Sequence, residues 1–513
     1  KSGSPAPPRA LSAEEVREAR ELQRKMHAFL GPHSRFKHVY GVLEKPSPTY
    51  FDLSPAVGGA DEVPFAVSPL FLAYAATGGG GPVVVHPLTR QGRLPASPPV
   101  LAGHTARVTA LAFSPHDACV LYSGSDDCHV NAWRVPVGGL ETSADASAAT
   151  ARMAGHGRPV RCLEPHPSAA GVLASGSMDG ALNVWDARAG ALACGVAELF
   201  DGPVFDLSFR GDGSCLAAAG RDAQCALVDP RSGDEPSRWR AHEGLRACRV
   251  RWLGDGPWVL TTGVDRRSTR EFRVWDARNL SEPVASHGLD TTPGVLVPLY
   301  DEDTGLVFLA GKGEVTIRYF DLSRITHAPA DAAPGKPLFC NAWAPTGAEP
   351  MVAAALMPKR CCDVGAVELA HIVRLTSSTA DPLHFHLPRS DRLKEYFQDD
   401  VFLPAASGDA AMSADEYMSG RDAPPPRVSL CPEGMLPLSK KPKEEAKVSR
   451  SKELLAQSRA QEQRGEAVED HLRRFQAMAA VKVDDAGKMP CEGTAEQSDV
   501  SDWSDDEDDD DEE

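Results

Sequence analysis

His104, Asp127 and either Ser123 or Ser125 supply the three side-chain types of a nucleophilic hydrolase. In such a set a serine attacks, a histidine takes its proton and an aspartate orients the histidine. His156, Asp179 and either Ser175 or Ser177 supply them a second time. The recurrence argues against catalysis. The two histidines stand 52 residues apart, and each aspartate precedes a tryptophan, Trp133 or Trp185, by six residues. Repeated architecture demands such a match, whereas a single active site does not. No G-x-S-x-G turn is present to expose a serine nucleophile. Each set therefore reads as a hydrogen-bonded group inside one structural unit.

The unit can be read from what surrounds the sets. Gly103-His104 leads through Phe113-Ser114-Pro115 to Trp133, and Gly155-His156 leads through Pro165 to Trp185-Asp186. A repeat of this length with this signature is a four-stranded blade of a β-propeller. From Ser34 to about His386 short apolar strands alternate with Gly, Asp, Pro and Ser turns, as propeller strands do. Seven blade cores are placed there. The first spans Ala66–Leu88, and the two clear copies are second and third. The fourth runs from Val204 to Pro230, with Val228 six residues after Asp222 where the tryptophan would stand. The fifth runs from Ala241 to Asp276, the sixth from Gly294 to Asp321, and the seventh from about Pro337 to Leu375. A blade cannot bury both faces alone, so the blades must pack radially and close. Phe36–Tyr40 is the candidate for the closing strand.

Outside the ring, Ser12 and Glu15 form a capping box that opens a helix whose apolar face (Val16, Ala19, Leu22, Met26, Phe29, Leu30) ends at Gly31-Pro32. The expected organisation is a linker and capping helix over 1–33 and the seven-bladed propeller over 34–386. An extension packed on it follows over 387–438. A charged linker with a short amphipathic helix covers 439–480, and a disordered acidic tail covers 481–513. The fold class is all-β.

Composition narrows the function. The formal net charge is −18, but Asp499 to Glu513 holds eleven Asp or Glu and no Lys or Arg, which leaves about −7 for the rest. That balance gives no footprint for nucleic acid. No apolar run approaches the ~18 residues of a spanning helix, so membrane insertion is not expected. The twelve cysteines contain no CxxC pair and read as reduced thiols of a cytosolic protein. Gly311-Lys312-Gly313 lacks the spacing of a phosphate loop, and neither a zinc nor a calcium motif is present. No catalytic residue, metal ligand or cofactor is assigned. The chain opens at Lys1 with a Pro-rich linker and reads as a piece of a longer protein. In the tail, Trp503 stands among Asp502, Asp505, Asp506 and Glu507. An aromatic anchor in an acidic peptide suits docking to a partner, with charge steering the encounter.

Several stretches together resemble the coronin family. They are Ser34–Gly41, Gly92-Arg93, the Gly103-His104 block, Ala241–Arg246, Asp301–Gly305, Ala310–Gly313, Ile317–Phe320, Met357–Arg360 with Cys362–Val364, Pro388-Arg389 and Phe397–Asp400. The likeness covers about residues 34–436. The end of the chain is similar to the C-terminal half of the long, two-propeller coronins, in place of the coiled coil of short ones. The resemblance implies a WD40-type propeller that binds filamentous actin and regulates branched-filament nucleation and turnover. For the two-propeller branch it implies a role linked to Golgi and vesicle trafficking. The acidic Trp503 segment resembles those by which nucleation-promoting factors contact the Arp2/3 complex. Arg35, Lys37 and Arg93 are candidates for the filament surface. Ser54 stands where short coronins place an arginine implicated in filament binding, a departure from the pattern. The expected location is cytoplasmic and cytoskeletal. Two rivals remain. A generic WD-repeat adaptor for trafficking or ubiquitin-ligase assembly needs no actin contact. An enzyme working in the central channel needs convergent polar residues there, and the repeats offer only blade-stabilising ones.

Overall fold

The computed structural model describes residues 10–440, apart from 30–33, 44–49, 57, 60, 61, 63, 233, 328–334 and 346–348; for residues 22–29 it describes only the backbone. Seven sheets follow one another along the chain. Blade 1 is built from Phe65–Val67, Phe71–Ala75, Val83–Pro87 and Val100–Ala102, and blade 2 from Val108–Phe113, Val120–Ser125, His129–Arg134 and Ala149–Ala154. Blade 3 takes Val160–Pro165, Val172–Ser177, Leu182–Asp186 and Ala191–Val196, and blade 4 takes Val204–Phe209, Leu216–Gly220, Gln224–Val228 and Ser237–Arg240. Blade 5 uses Arg249–Trp252, Trp258–Val264, Arg270–Asp276 and Ala285–Gly288. Blade 6 uses Leu296–Asp301, Leu306–Gly311, Ile317–Asp321 and Leu338–Trp343. The first strands of successive blades touch in turn, and that of blade 7 touches that of blade 1, so the ring is closed.

The sequence encodes this layering directly. A middle strand is covered on both faces and reads as an unbroken apolar run; Leu306–Gly311 and Leu216–Gly220 are buried throughout. An outer strand faces solvent, and Ala191–Val196 has no buried residue. The cores lie between blades. One cluster joins Phe308 and Tyr319 of blade 6 to Ile372 and Phe385 of blade 7, and another joins Ala110 and Tyr122 of blade 2 to Leu173 and Trp185 of blade 3.

Blade 7 is completed from both ends of the ring. Ala353–Leu356, Glu368–Leu375 and Thr379–His386 receive Tyr40–Leu43 as their outer strand, paired antiparallel with Tyr40 opposite His386 and Val42 opposite His384. The expectation for Phe36–Tyr40 is thereby corrected. Ser34 Oγ accepts from the Phe36 amide (3.0 Å) and bonds Asp321, turning residues 34–38 before the chain can extend. Phe36 and Val39 are buried in the blade 6–7 core instead. The expected start of blade 7 near Pro337 is also corrected, since Leu338–Trp343 is the outer strand of blade 6. The closing strand lies against Trp343, whose Nε1 donates to Gly41 O at 3.0 Å. A Cβ on Gly41 would come within 2.6 Å of that ring. Gly41→Ala should therefore loosen the closure and cost about 1–3 kcal/mol of stability, the usual penalty for overpacking. A denaturant titration checks this, and an unchanged midpoint would contradict it.

After blade 7 the chain runs back across the ring. Asp391–Lys394 forms a short helix, Ala405–Ala406 pairs with Arg427–Val428, and Met412–Ser413 adds to Ala169–Ala170 of blade 3. Ser413 and Glu416 form a capping box for the helix Ala414–Met418, which buries Tyr417. The N-terminal helix Ala13–Phe29 opens on the expected Ser12–Glu15 box: the Ser12 amide donates to Glu15 at 2.7 Å and the Glu15 amide to Ser12 Oγ at 3.3 Å. Leu11 N donates to Arg427 O, which seats the start of this helix on the extension.

Candidate functional site

Each histidine of the repeated sets sits in the loop entering its blade, its serine on the second strand and its tryptophan on the third. Trp133 Nε1–H donates to Ser123 Oγ at 2.9 Å, and Ser123 Oγ lies 2.8 Å from His104 Nε2. His104 Nδ1 lies 3.0 Å from Asp127. The second copy repeats this: Trp185 to Ser175 at 2.7 Å, Ser175 to His156 at 2.7 Å and His156 to Asp179 at 3.3 Å. Ser123 and Ser175 are therefore the hydroxyls of the sets. Ser125 and Ser177 instead donate to the carbonyls of Arg107 and Arg158. Burial opposes the charge on Asp127, yet His104 and the amides of Thr105 and His129 hold its carboxyl well below the usual range. Burial holds His156 below the ordinary histidine pKa against the pull of Asp179. Ser123 and Ser175 are each 0% exposed, so neither hydroxyl can meet a substrate. The sets pin the second and third strands to the entering loop.

Blade 5 carries a third set that the sequence reading missed. His242 Nδ1 lies 2.9 Å from Glu271, His242 Nε2 lies 2.9 Å from Thr261 Oγ1, and Trp275 Nε1 donates to Thr261 at 3.0 Å. The spacing from histidine to hydroxyl, 19 residues, is the same in all three blades and could have revealed it. Blade 4 holds Leu199, Ala218 and Val228 at the matching offsets, and the three share one apolar cluster. Replacing the histidine, serine and tryptophan together leaves no buried donor or acceptor of the set unpaired, and Asp222, at the aspartate's offset, is exposed.

The central channel encloses a cavity of about 350 Å³ lined in part by Arg161, Glu164, Asp206, Arg249 and Arg251. The expectation that the sequence offers only blade-stabilising polar groups is corrected here, because first strands of three blades point these charges at one axis. They are paired: Arg251 lies 3.2 Å from Glu164 and Arg249 3.7 Å from Asp206. Burial pushes Glu164 up to about 7. Glu62, 4% exposed, pairs with Arg107 of the blade 1–2 loop at 2.9 Å and with Arg161 of blade 3. Lys312 of blade 6 donates to Gly59 O at 2.7 Å and Glu62 O at 2.9 Å. These partners lie on opposite sides of the ring, so Gly59 and Glu62 link them over the channel.

The extension is fastened by a buried ionic latch. Arg427, in its last strand, reaches Asp303 (3.4 Å), Asp255 (3.5 Å), Glu302 and the Pro404 carbonyl. Burial works against the Arg427 charge, but the surrounding carboxylates outweigh it and raise its pKa. Lys359 of blade 7 is buried on Asp301, which also accepts from Thr304 Oγ1 at 2.7 Å. Arg20 of the N-terminal helix joins Asp255 at 3.3 Å. The acidic turn Asp301–Gly305 is thus the anchor where the ring, the extension and the N-terminal helix meet.

A second anchor is His166. Its ring lies 4.7 Å from Phe209 and 4.4 Å from Tyr417 of the extension, and Nδ1 accepts from the amides of Ser168 (3.1 Å) and Ala169 (2.8 Å). Burial, above all, lowers its pKa to about 3. The folded value lies below the unfolded one, so the stability held by the neutral ring is complete above pH 6.5 and is lost as pH falls toward 3. Between pH 6.5 and pH 4 this should cost about 3 kcal/mol. Melting curves of wild type and His166→Asn across pH 4–7 check it. The variant should lose less stability on acidification, and parallel losses would contradict the assignment.

The candidate surface cations separate. Arg35 is half-buried: it donates to Asp400 O in the extension, its guanidinium lies 4.5 Å from the Phe36 ring, and burial lowers its pKa to about 10. Its assignment to a free surface is corrected, since the guanidinium is withdrawn onto a main-chain carbonyl of the extension. Lys37 is exposed in the same turn, and Arg93, its side chain 81% exposed, pairs with Asp52. Asp502, Trp503, Asp505, Asp506 and Glu507 lie outside the described residues. Among the described residues no helix is long and apolar enough to cross a membrane.

Comparison with known proteins agrees with this architecture. The model for the WD domain, G-beta repeat, matches residues 97–134 and 148–186. A model for a type of WD40 repeat matches residues 381–425, which here hold the third strand of blade 7 and much of the extension. A domain of unknown function, DUF1899, matches residues 30–93. Closed sevenfold geometry and the His–Ser–Trp sets define a WD40-type β-propeller scaffold. Coronin-7 of Bos taurus is 36% identical over 430 residues, 82% of this chain and 45% of that protein. Coronin-7 of Homo sapiens is 35% identical over 429 residues, 82% of this chain and 44% of that protein. Coronin-like protein crn1 of Schizosaccharomyces pombe is 32% identical over 403 residues, 77% of this chain and 64% of that protein. The WD40 domain from Toxoplasma gondii coronin superposes with a TM-score of 0.69 at 26% identity, covering 77% of this chain and 98% of that one. The chain belongs to the coronin family. It spans about 45% of the length of the Coronin-7 relatives it matches.

Proposed function

We propose that the chain is a non-enzymatic regulatory scaffold of the actin cytoskeleton. In this reading the propeller is a rigid platform that contacts filamentous actin, and the acidic tail engages the Arp2/3 complex through Trp503 and its neighbours Asp502, Asp505, Asp506 and Glu507. The observation that carries the reading is that the serine–histidine sets are consumed inside blades, in a chain whose relatives are coronins. Similarity to Coronin-7 supports placing the chain as the second half of a two-propeller coronin, cytoplasmic and cytoskeletal, with a link to Golgi and vesicle trafficking. Lys37 and Arg93, both exposed, remain the proposed filament contacts. Filament co-sedimentation of the chain beside Lys37→Glu/Arg93→Glu tests this. The account expects saturable sedimentation that the double variant weakens several-fold and that salt weakens as well. Equal sedimentation of both proteins would remove Lys37 and Arg93 from the surface. No sedimentation of either would favour the adaptor reading, which draws support from Ser54, exposed where short coronins carry an arginine.

A further inference from the structure

We propose that Glu368, His371 and His384 form a zinc site on the closing blade, with the remaining coordination position left to water. One ring nitrogen of each histidine and one carboxylate oxygen lie within 4.8 Å of one another. The fold creates this placement. His371 and His384 are direct cross-strand partners in blade 7, so their rings stand on one face, with centroids 4.3 Å apart. A bulge between Glu368 and Ala370 shifts the register at the end of the strand beside them, as bulges do where a side chain is re-aimed. Glu368 Oε1 then lies 2.6 Å from His384 Nδ1.

The chemistry of the set suits a divalent ion better than a simple hydrogen-bonded cluster. Glu368 is 2% exposed, and among the described residues it has no lysine or arginine partner. The Asp363 N–H sits on Oε2 at 2.6 Å and fixes the carboxylate, the kind of outer support that orients metal ligands. His371 Nε2 is buried and has no hydrogen-bond partner among the described residues. Two imidazoles and one carboxylate make up the donor set of open zinc centres, where zinc–ligand bonds of about 2.0–2.2 Å draw the ligands together. The ion would brace the strand pair that receives Tyr40–Leu43, since Val42 pairs with His384 and Tyr40 with His386.

The test uses the full chain, stripped with a chelator and dialysed against micromolar zinc. The expected result is one tightly held equivalent, with cobalt substitution giving the visible bands of a low-coordinate nitrogen–oxygen site. Glu368→Gln and His371→Ala should each bind at least about ten-fold more weakly. Zinc should raise the melting temperature of the wild type but of neither variant. Glu368→Gln keeps an acceptor for the Asp363 amide, so it reports on the metal even if His371→Ala folds poorly. The loose cation binding of the acidic end is common to all three proteins and cancels. A wild type that retains no equivalent, or variants that retain it with unchanged affinity, would overturn the site.

Discussion

Arg427→Ala should destabilise the protein by about 3–5 kcal/mol, the cost of removing one partner from a buried ionic group. The guanidinium is the cation of the latch, and its side chain is only 7% exposed. Without it Glu302, Asp303 and Asp255 lose the cation they share, Arg20 and Lys359 do not replace it, and the Pro404 carbonyl loses its donor. The effect should also be local. The strand Arg427–Val428 should detach from Ala405–Ala406, and the N-terminal helix should lose its seat at Leu11. Limited proteolysis should therefore cut within residues 387–440 at rates that leave the wild type intact, alongside a lowered denaturation midpoint. Arg427→Met preserves the apolar stem but not the charge, and should fall with the alanine variant. A midpoint within about 1 kcal/mol of wild type would mean that the latch is replaceable packing.

Ser123→Ala should cost about 2–4 kcal/mol although it removes a single oxygen atom. That hydroxyl accepts from Trp133 Nε1, which is left buried and unpaired at about 1–3 kcal/mol, and it also bonds His104 Nε2, which keeps the Asn131 amide at 3.3 Å and loses one bond of about 1 kcal/mol. Ser125→Ala, two residues away, removes one donor shared by the Ala106 and Arg107 carbonyls, of which Arg107 O keeps the Asp126 amide, and one acceptor of the Asp127 amide, and should cost less. Blade 4 supplies a control provided by the chain itself, because Leu199, Ala218 and Val228 do the same structural task without polar groups. Combining Ser123→Ala with His104→Leu and Trp133→Val should therefore cost less than the sum of the single changes. Chemical denaturation of the wild type, the three single variants and the triple variant measures the coupling, and strict additivity would contradict the network.

Local periodicity made most of the ring legible. Trp133 and Trp185 announced blades 2 and 3, and the six-residue step from Asp222 to Val228 located blade 4 despite its apolar chemistry. Blade 5 hid its set because the turn between Thr261 and Trp275 is longer and a strand glutamate, Glu271, replaces the turn aspartate. A search keyed to tryptophan and aspartate passes over that exchange. The outer strand of blade 6 was misplaced because a short helix, Ser323–Thr326, and a Pro- and Ala-rich stretch separate it from Asp321. Contacts over long separations left no local trace. Arg427 meets Asp303 across 124 residues and Arg35 meets Asp400 across 365. Arg35 was assigned to the filament surface and Arg427 was not singled out, and only the folded chain shows that each is withdrawn into the junction with the extension. The acidic turn Asp301–Gly305 was recognised as a family feature, and its physical role as an anchor follows from the latch. The channel charges escaped for a related reason, since Glu164, Asp206 and Arg251 belong to three blades and converge only when the ring closes.

The scaffold account rests most heavily on the arm beyond the propeller. Capture of the Arp2/3 complex by the full chain, wild type beside Trp503→Ala, tests it most directly. The account predicts saturable capture that weakens with salt and falls at least about ten-fold in the variant, the effect of losing an aromatic hot spot. Equal capture by both proteins, or by neither, would contradict it.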